Sequence, residues 1–202
     1  MRKVQLLGRE SLYEGFFRAE RVMLRHELFQ GGMGPELRRE VMYKRAAAGV
    51  LPYDPRTNTL LLIEQFRIGA WAAGQEGWLM EIIAGYVEPG EDVEAMVHRE
   101  AMEEAGIRLD RLEPVTRLFL SPASCNEEFS LFLAQADLQH AGGIHGLASE
   151  GENIRVVVLD FDEALAAAQS GKIANAPALL ALQALQLKRL GGVPSDASTT
   201  VR

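Results

Sequence analysis

Residues Gly85 to Ile107 read GYVEPGEDVEAMVHREAMEEAGI, and this stretch decides the fold. It spaces Gly85, five residues, Glu91, seven residues, Arg99-Glu100, two residues, Glu103-Glu104, one residue, Gly106 and Ile107. At average residue usage, eight such positions coincide at a given start with a probability on the order of 10⁻⁹. Asp92 to Glu104 contains strong helix formers and neither Gly nor Pro, which predicts a helix. Pro89-Gly90 precede it as a turn and Gly106 follows as a stop signal. Val93, Met96, Val97 and Ala101 share one helical face and are expected to pack inward.

Glu100, Glu103 and Glu104 sit at i, i+3 and i+4, so their carboxylates converge. Like charges this close destabilise an isolated helix. Hard oxygen ligands are what Mg²⁺ or Mn²⁺ requires, and a cation removes the repulsion. Three glutamates alone also fit a solvated acidic face, but the glycines, Glu91 and Arg99 in the same register argue for a site. Arg99, beside three carboxylates, also fits an ordinary i,i+4 salt bridge with Glu103.

Working outward, 202 residues at 48% hydrophobic suit one globular domain with a sizeable core. A net charge of −7 argues against a nucleic-acid binder. No apolar run approaches a membrane span, and the N-terminus does not read as a signal peptide. Cys125 is the single cysteine, so no intrachain disulfide can form; a cytoplasmic protein is expected. Cys125 itself reads as a core or loop thiol, because no evident base accompanies it.

Strands are expected in Val4 to Phe29, broken near Glu14-Gly15, then in Leu37 to Arg45 and Ala46 to Leu51. Asp54 to Asn58 reads as a turn before a strong strand, Thr59 to Arg67. Ile68 to Gly77 reads as a loop, and Trp78 to Ala84 as one short strand. Further strands are expected at Glu113 to Leu120, Glu128 to Ala136 and Ile154 to Leu159, with a long loop from Asp137 to Asn153. Helices are expected at Asp162 to Ser170, capped near Asp160 or Asp162, and at Ala174 to Arg189. The pattern predicts an α/β fold, a sandwich with a mixed β-sheet. An N-terminal antiparallel β-sheet region is expected at 1–45, a main domain at 46–190 and a flexible tail at 191–202.

The register from Gly85 to Ile107 resembles the signature of the Nudix hydrolases, without departure. That resemblance implies a sheet between helices and hydrolysis of a nucleoside diphosphate linked to another moiety. Outside the signature, from Leu12 to Leu187, the chain resembles the bacterial ADP-ribose pyrophosphatases. RREV at Arg38 to Val41, LIEQFRIGAW at Leu62 to Trp71, EIIAGYVEPGE at Glu81 to Glu91 and GIHGLASEGENIRV at Gly143 to Val156 carry it. So does Pro122, 16 residues beyond Gly106, where a proline marks ADP-ribose hydrolases. One departure is Ala123-Ser124, where that group has two glycines.

The resemblance implies Mg²⁺-dependent cleavage of ADP-ribose to AMP and ribose 5-phosphate, with Mn²⁺ as a substitute. Glu100 and Glu104 are the central metal ligands it implies, joined by Glu103, Glu152 and the backbone carbonyl of Ala84. Glu150 matches the general base and Glu152 a neighbouring acid; Arg99 orients the glutamates. Arg67 matches the arginine on the diphosphate, Arg39 and Glu40 the adenosine contacts, Phe16 the adenine stack and Glu127 a residue near the terminal ribose. Taken as sequence alone, Phe16 equally suits a core position, Arg39 an edge-strand charge, and Glu150 and Glu152 a solvated loop. His140 and His145 lie in a loop that gives little support for metal binding. The resemblance also implies a homodimer through the N-terminal sheet, with Phe16, Arg39 and Glu40 completing the partner's site. The alternatives are another nucleoside diphosphate sugar such as GDP-mannose, or a non-catalytic ADP-ribose-binding protein. The second would leave all four signature glutamates without a use.

Overall fold

A computed structural model describes residues 2–191; the flexible tail expected at 191–202 lies, from residue 192 on, outside the described residues. Strand β5 (Thr59–Phe66) forms the centre of the larger sheet, with Leu60, Leu61, Leu62 and Ile63 all fully buried. Four consecutive apolar residues place two side chains on each face, so both faces must be covered. Full burial of each such side chain contributes about 1.5–3 kcal/mol.

The sheet has eight strands in the order β10 (Ile144–His145), β11 (Ile154–Asp160), β5, β4 (Ala47–Asp54), β9 (Glu128–Gln135) and β8 (Leu112–Phe119). The remaining two strands fill a fork. The β4–β5 hairpin is paired only at Tyr53↔Leu60 and Asp54↔Thr59, beside its turn. Beyond that point β6 (Trp78–Glu81) pairs with Ile63–Phe66 of β5, while β7 (Ile83–Tyr86) pairs with Ala47–Val50 of β4. The single strand expected at Trp78 to Ala84 is therefore two, divided at the buried Ile82 where the chain changes partner.

Helix α2 (Val93–Ala105) covers one face of this sheet. Met96, Val97, Ala101 and Ala105 join Ala48, Val50, Leu61, Ile63, Ile83, Ile154 and Val156 in one buried cluster. The other face meets α3 (Phe161–Gln169), which packs on β11 and β5, and α4 (Ala176–Arg189), which packs on β4 and β6. Asp160 caps α3 by accepting from the Asp162 amide at 2.8 Å, and Asn175 caps α4 by accepting from the Ala178 amide at 3.1 Å. The result is an α/β arrangement with a mixed sheet between helices.

Two expected loops contain short elements. Ile68–Ala72 forms a single helical turn, α1, inside the stretch read as loop; its N-cap Arg67 makes no side-chain capping bond. The long loop after β9 holds β10 and a 3-10 turn at Ala148–Glu150.

The chain divides into two compact units, Met1–Ala46 with Leu118–Phe129 and Ala47–Arg117 with Ser130–Arg202. The first is built on an antiparallel three-stranded sheet, β1 (Val4–Glu14), β2 (Arg18–His26) and β3 (Leu37–Tyr43). β1 is an edge strand exposed along almost its whole length, with Val4, Leu6, Leu7, Leu12 and Tyr13 facing solvent. The segment 118–129 joins this unit through a bridge between Met42 and Cys125, the amide of Asn126 donating to the Met42 carbonyl at 3.2 Å.

Candidate active site

The second unit gathers acidic residues around α2. Its start is set by Asp92, whose carboxylate accepts from the amides of Glu94 and Ala95 at 3.1 and 3.0 Å. Its end is set by Gly106, left-handed at φ 64°, which only glycine adopts without penalty. Between these stops the helix directs Glu100 and Glu104 towards β7 and leaves Glu103 more exposed.

Arg99 binds three of the four signature glutamates at once. Its Nε donates to Glu91 at 3.1 Å, and its Nη1 reaches Glu100 at 2.9 Å and Glu103 at 2.8 Å. The i,i+4 pair with Glu103 thus exists, as one arm of a larger clamp. Glu91 also accepts from the Glu88 amide at 3.0 Å, fixing the turn that leads into the helix. Arg99, then that amide, hold the Glu91 carboxyl below the usual carboxylate range.

Glu104 lies deepest, 2% exposed, and accepts from the Ala84 amide of β7 at 3.0 Å. Burial pushes its carboxyl well above the ordinary value; the Ala84 amide opposes this, while Glu100 and Glu152 add to it. Glu100 is raised for the same first reason, with Arg99 opposing and Glu103 and Glu152 reinforcing. Gly85 explains how Glu100 fits. A Cβ on Gly85 would fall 2.1 Å from Glu100 Oε1, so the carboxylate occupies the space that any other residue would fill.

The late loop is fastened to the end of α2. The Gly146 amide donates to the Glu103 carbonyl at 3.1 Å, and His145 packs over Gly106 while its Nε2 lies 2.8 Å from the Gly142 carbonyl. Glu152 accepts from the Leu147 amide at 3.0 Å, which folds the loop back on itself. Glu152 is close enough to act on Glu100 and Glu104, whereas Glu150 sits at the exposed end of the 3-10 turn.

Arg67 follows β5 and is half-exposed. Its Nε and Nη2 reach Glu81 Oε2 at 2.9 and 2.8 Å. Burial works against its charge, but Glu81, with Glu104 and Tyr86 beyond, raises its pKa overall. Glu81 is itself buried and carried no assigned role in the sequence reading; neither did Asn175, which donates to it at 2.9 Å.

The remaining candidates belong to the first unit. Phe16 stands 83% exposed on the β1–β2 turn, away from any core. Arg39 and Glu40 lie exposed on β3, with Glu40 paired to Arg21 at 3.1 Å and Arg39 donating to the Arg38 carbonyl at 2.9 Å. Pro122 occupies a turn closed by the Cys125 amide on the Ser121 carbonyl at 2.9 Å, and Glu127 pairs with Lys44 at 3.4 Å.

Among the described residues, no three His, Cys, Asp or Glu side chains stand as a ready-made ligand set, since Arg99 draws Glu100 and Glu103 to itself. The donor chemistry nevertheless fits a hard divalent cation. Glu152 raises the proton affinity of both Glu100 and Glu104, Glu100 adds to that of Glu104, and a cation would relieve that repulsion.

Comparison with known proteins agrees with this geometry. A family model described as the NUDIX domain matches residues 43–181. The ADP-ribose pyrophosphatase of Escherichia coli (strain K12) is 44% identical over 91% of this chain and 88% of its own length. That of Haemophilus influenzae is 42% identical over 91% and 86%. A GDP-mannose pyrophosphatase of Cronobacter sakazakii is 36% identical over 75% and 78%. A solved structure titled as an ADP compounds hydrolase superposes with a TM-score of 0.71, at 22% identity, over 95% of this chain and 97% of that one, which fixes the fold. The chain belongs to the Nudix family of hydrolases.

Proposed function

We propose that this enzyme hydrolyses the diphosphate bond of ADP-ribose, giving AMP and ribose 5-phosphate, with Mg²⁺ as cofactor and Mn²⁺ as a substitute. The observation that carries the reading is the junction of α2 with the late loop. There Glu152 acts on Glu100 and Glu104, and Arg67 lies within electrostatic reach of Glu104. Similarity to ADP-ribose pyrophosphatases over 91% of the chain, against 75% for the GDP-mannose enzyme, supports the substrate.

Glu100, Glu103, Glu104 and Glu152, with the Ala84 carbonyl, would hold the cations. When bound, these neutralise the diphosphate and acidify the attacking water. Arg99 keeps Glu100 and Glu103 in place beside the helix. Arg67 takes a diphosphate oxygen through the end of its guanidinium that Glu81 does not hold. Glu150 accepts the proton of the attacking water. The water oxygen bonds to phosphorus as the bridging P–O bond breaks, and the bridging oxygen leaves with the departing phosphate. Phe16 stacks on adenine, Arg39 and Glu40 bind adenosine, and Pro122 and Glu127 shape the terminal-ribose end.

We further propose that the enzyme is a cytoplasmic homodimer joined through the N-terminal sheet. The exposed apolar edge of β1 supports this, because an uncovered edge strand of this length invites pairing. No helix among the described residues is long and apolar enough to cross a membrane. Removal of residues 1–45 is expected to abolish dimerisation and activity together, read by light scattering and hydrolysis; a fully active monomer refutes the dimer. The substrate is tested by a panel under Mg²⁺, comprising ADP-ribose, GDP-mannose, NADH and diadenosine polyphosphates, with products identified by mass. Preference for ADP-ribose with AMP and ribose 5-phosphate as products is expected. Preference for GDP-mannose overturns the substrate, and no turnover at all points to a binding protein.

A further inference from the structure

Glu81 is a buried carboxylate outside the Nudix signature, held by donors on both oxygens. Oε2 takes Arg67 Nε at 2.9 Å and Nη2 at 2.8 Å, with Gln65 Nε2 at 3.5 Å. Oε1 takes Asn175 Nδ2 at 2.9 Å, across 94 positions of sequence. Asn175 is also the N-cap of α4, where its Oδ1 accepts from the Ala178 amide at 3.1 Å. Both ends of the Asn175 amide are thereby committed. Turning it over would set Oδ1 against the Glu81 carboxylate and Nδ2 against an N–H.

The same contacts fix which side of Arg67 remains available. Glu81 holds the Nε–Nη2 edge of the guanidinium, and the Nη1 end is left to meet another oxyanion. A free arginine side chain is rich in rotamers, and ordering by Glu81 removes much of that freedom before substrate arrives. We propose that Glu81 and Asn175 are positioning residues: they hold Arg67 by one edge, anchored to the start of α4, so that its other end faces the diphosphate. This rests on the reading of Arg67 as the diphosphate-binding arginine.

The arrangement can be broken and rebuilt. In Glu81→Gln, the introduced amide nitrogen faces either the Asn175 nitrogen or the Arg67 fork, so one donor–donor clash is unavoidable. Adding Asn175→Asp supplies an acceptor for that nitrogen, and aspartate caps a helix as well as asparagine does. Asn175→Ser keeps the cap but is too short to reach Glu81. We expect Glu81→Gln to raise KM about 10-fold with kcat changed less than about threefold, the pattern of lost binding rather than lost chemistry. Asn175→Ser should raise KM about threefold, and Glu81→Gln with Asn175→Asp should return KM to within about threefold of wild type, a coupling that only interacting residues show. A general loss of stability would lower the active fraction, and so kcat, and would not be rescued by the second substitution.

Kinetics are read on whichever nucleoside diphosphate derivative wild type cleaves best. A preference other than ADP-ribose overturns the substrate reading and leaves this test intact. The relay is overturned by KM values within twofold of wild type in both single variants, or by a double variant no better than Glu81→Gln. Should Glu81→Gln fail to fold, Asn175→Ser decides alone, since its helix cap is retained.

Discussion

Replacing Gly85 with alanine tests the site at the point where backbone and carboxylate approach each other most closely. The new Cβ would stand 2.1 Å from Glu100 Oε1, 2.3 Å from its Cδ and 2.8 Å from its Cγ. Ordinary contact begins at 3.4 Å, so the carboxylate must retreat by about 1.3 Å. Mg²⁺ demands near-ideal octahedral geometry at about 2.0–2.1 Å, and a misplacement of about 1 Å can cost about 100-fold in rate. The backbone at Gly85 is not left-handed, so alanine adds no torsional strain there. What moves is the end of a flexible side chain, and the loss of glycine entropy in the unfolded chain offsets part of the cost. Gly85→Ala should therefore lower kcat about 100-fold while shifting Tm by no more than about 4 °C, the change that about 1 kcal/mol produces in a chain of this size. Hydrolysis under saturating Mg²⁺ and thermal melts read the two quantities. The cycle with Glu100→Ala gives the decisive comparison: in that background Gly85→Ala should cost nothing further. A kcat within threefold of wild type, or an undiminished effect of Gly85→Ala when Glu100 is absent, would refute the steric argument.

Glu104→Gln keeps the acceptor for the Ala84 amide but removes the charge, and should lower turnover at least ~100-fold while ADP-ribose still binds in calorimetry. Near-normal turnover removes Glu104 from the mechanism. Gly146→Ala would set a Cβ 2.7 Å from the Glu152 Cβ at a left-handed position, φ 97°, so the late loop must shift and kcat should fall about 10-fold or more; unchanged kinetics would separate Glu152 from the reaction. Asp54 offers a pH test away from the site. Its carboxyl is held far below the ordinary range, first by the Arg56 side chain at 2.7 and 3.0 Å, against the opposing effect of burial. A depressed carboxyl stabilises the fold above its unfolded pKa of about 3.9 and loses that contribution as pH falls towards the folded value. Asp54→Asn should thus be less stable than wild type at pH 7 by urea unfolding, with the difference closing below about pH 4; a difference constant from pH 7 to 3 contradicts the assignment.

The helix of the signature was legible because its cues are local. Asp92, the apolar positions Met96, Val97 and Ala101, and Gly106 mark start, face and stop within one short window. β5 was legible as a continuous apolar run for the same reason. What escaped reading depends on partners distant in sequence. The break at Ile82 follows from β4 and β5 diverging, which nothing in WLMEIIA announces. Helix α1 is a single turn without a side-chain cap, too short for periodicity to register. The late loop is fastened by the Gly146 amide on a carbonyl of α2, and backbone bonds leave no side-chain pattern. Glu81 and Asn175 lie 94 positions apart, and only the folded sheet and α4 make them neighbours.

The fork in the sheet has a consequence for how this chain can change length. Residues 78 to 86 pair with β5 through β6 and with β4 through β7, so one segment is locked to two different rails. Inserting or deleting one residue there would turn side chains over on at least one branch. On the β6 branch that swings Glu81 away from Arg67; on the β7 branch it takes Ala84 and Gly85 out of step with Glu104 and Glu100. The turn at 55–58 and the stretch at 73–76 adjoin the same strands without being paired into them, and insertions can accumulate there. Natural length variation and engineered insertions should therefore cluster in those two places, while the positions between Trp78 and Tyr86 keep their count.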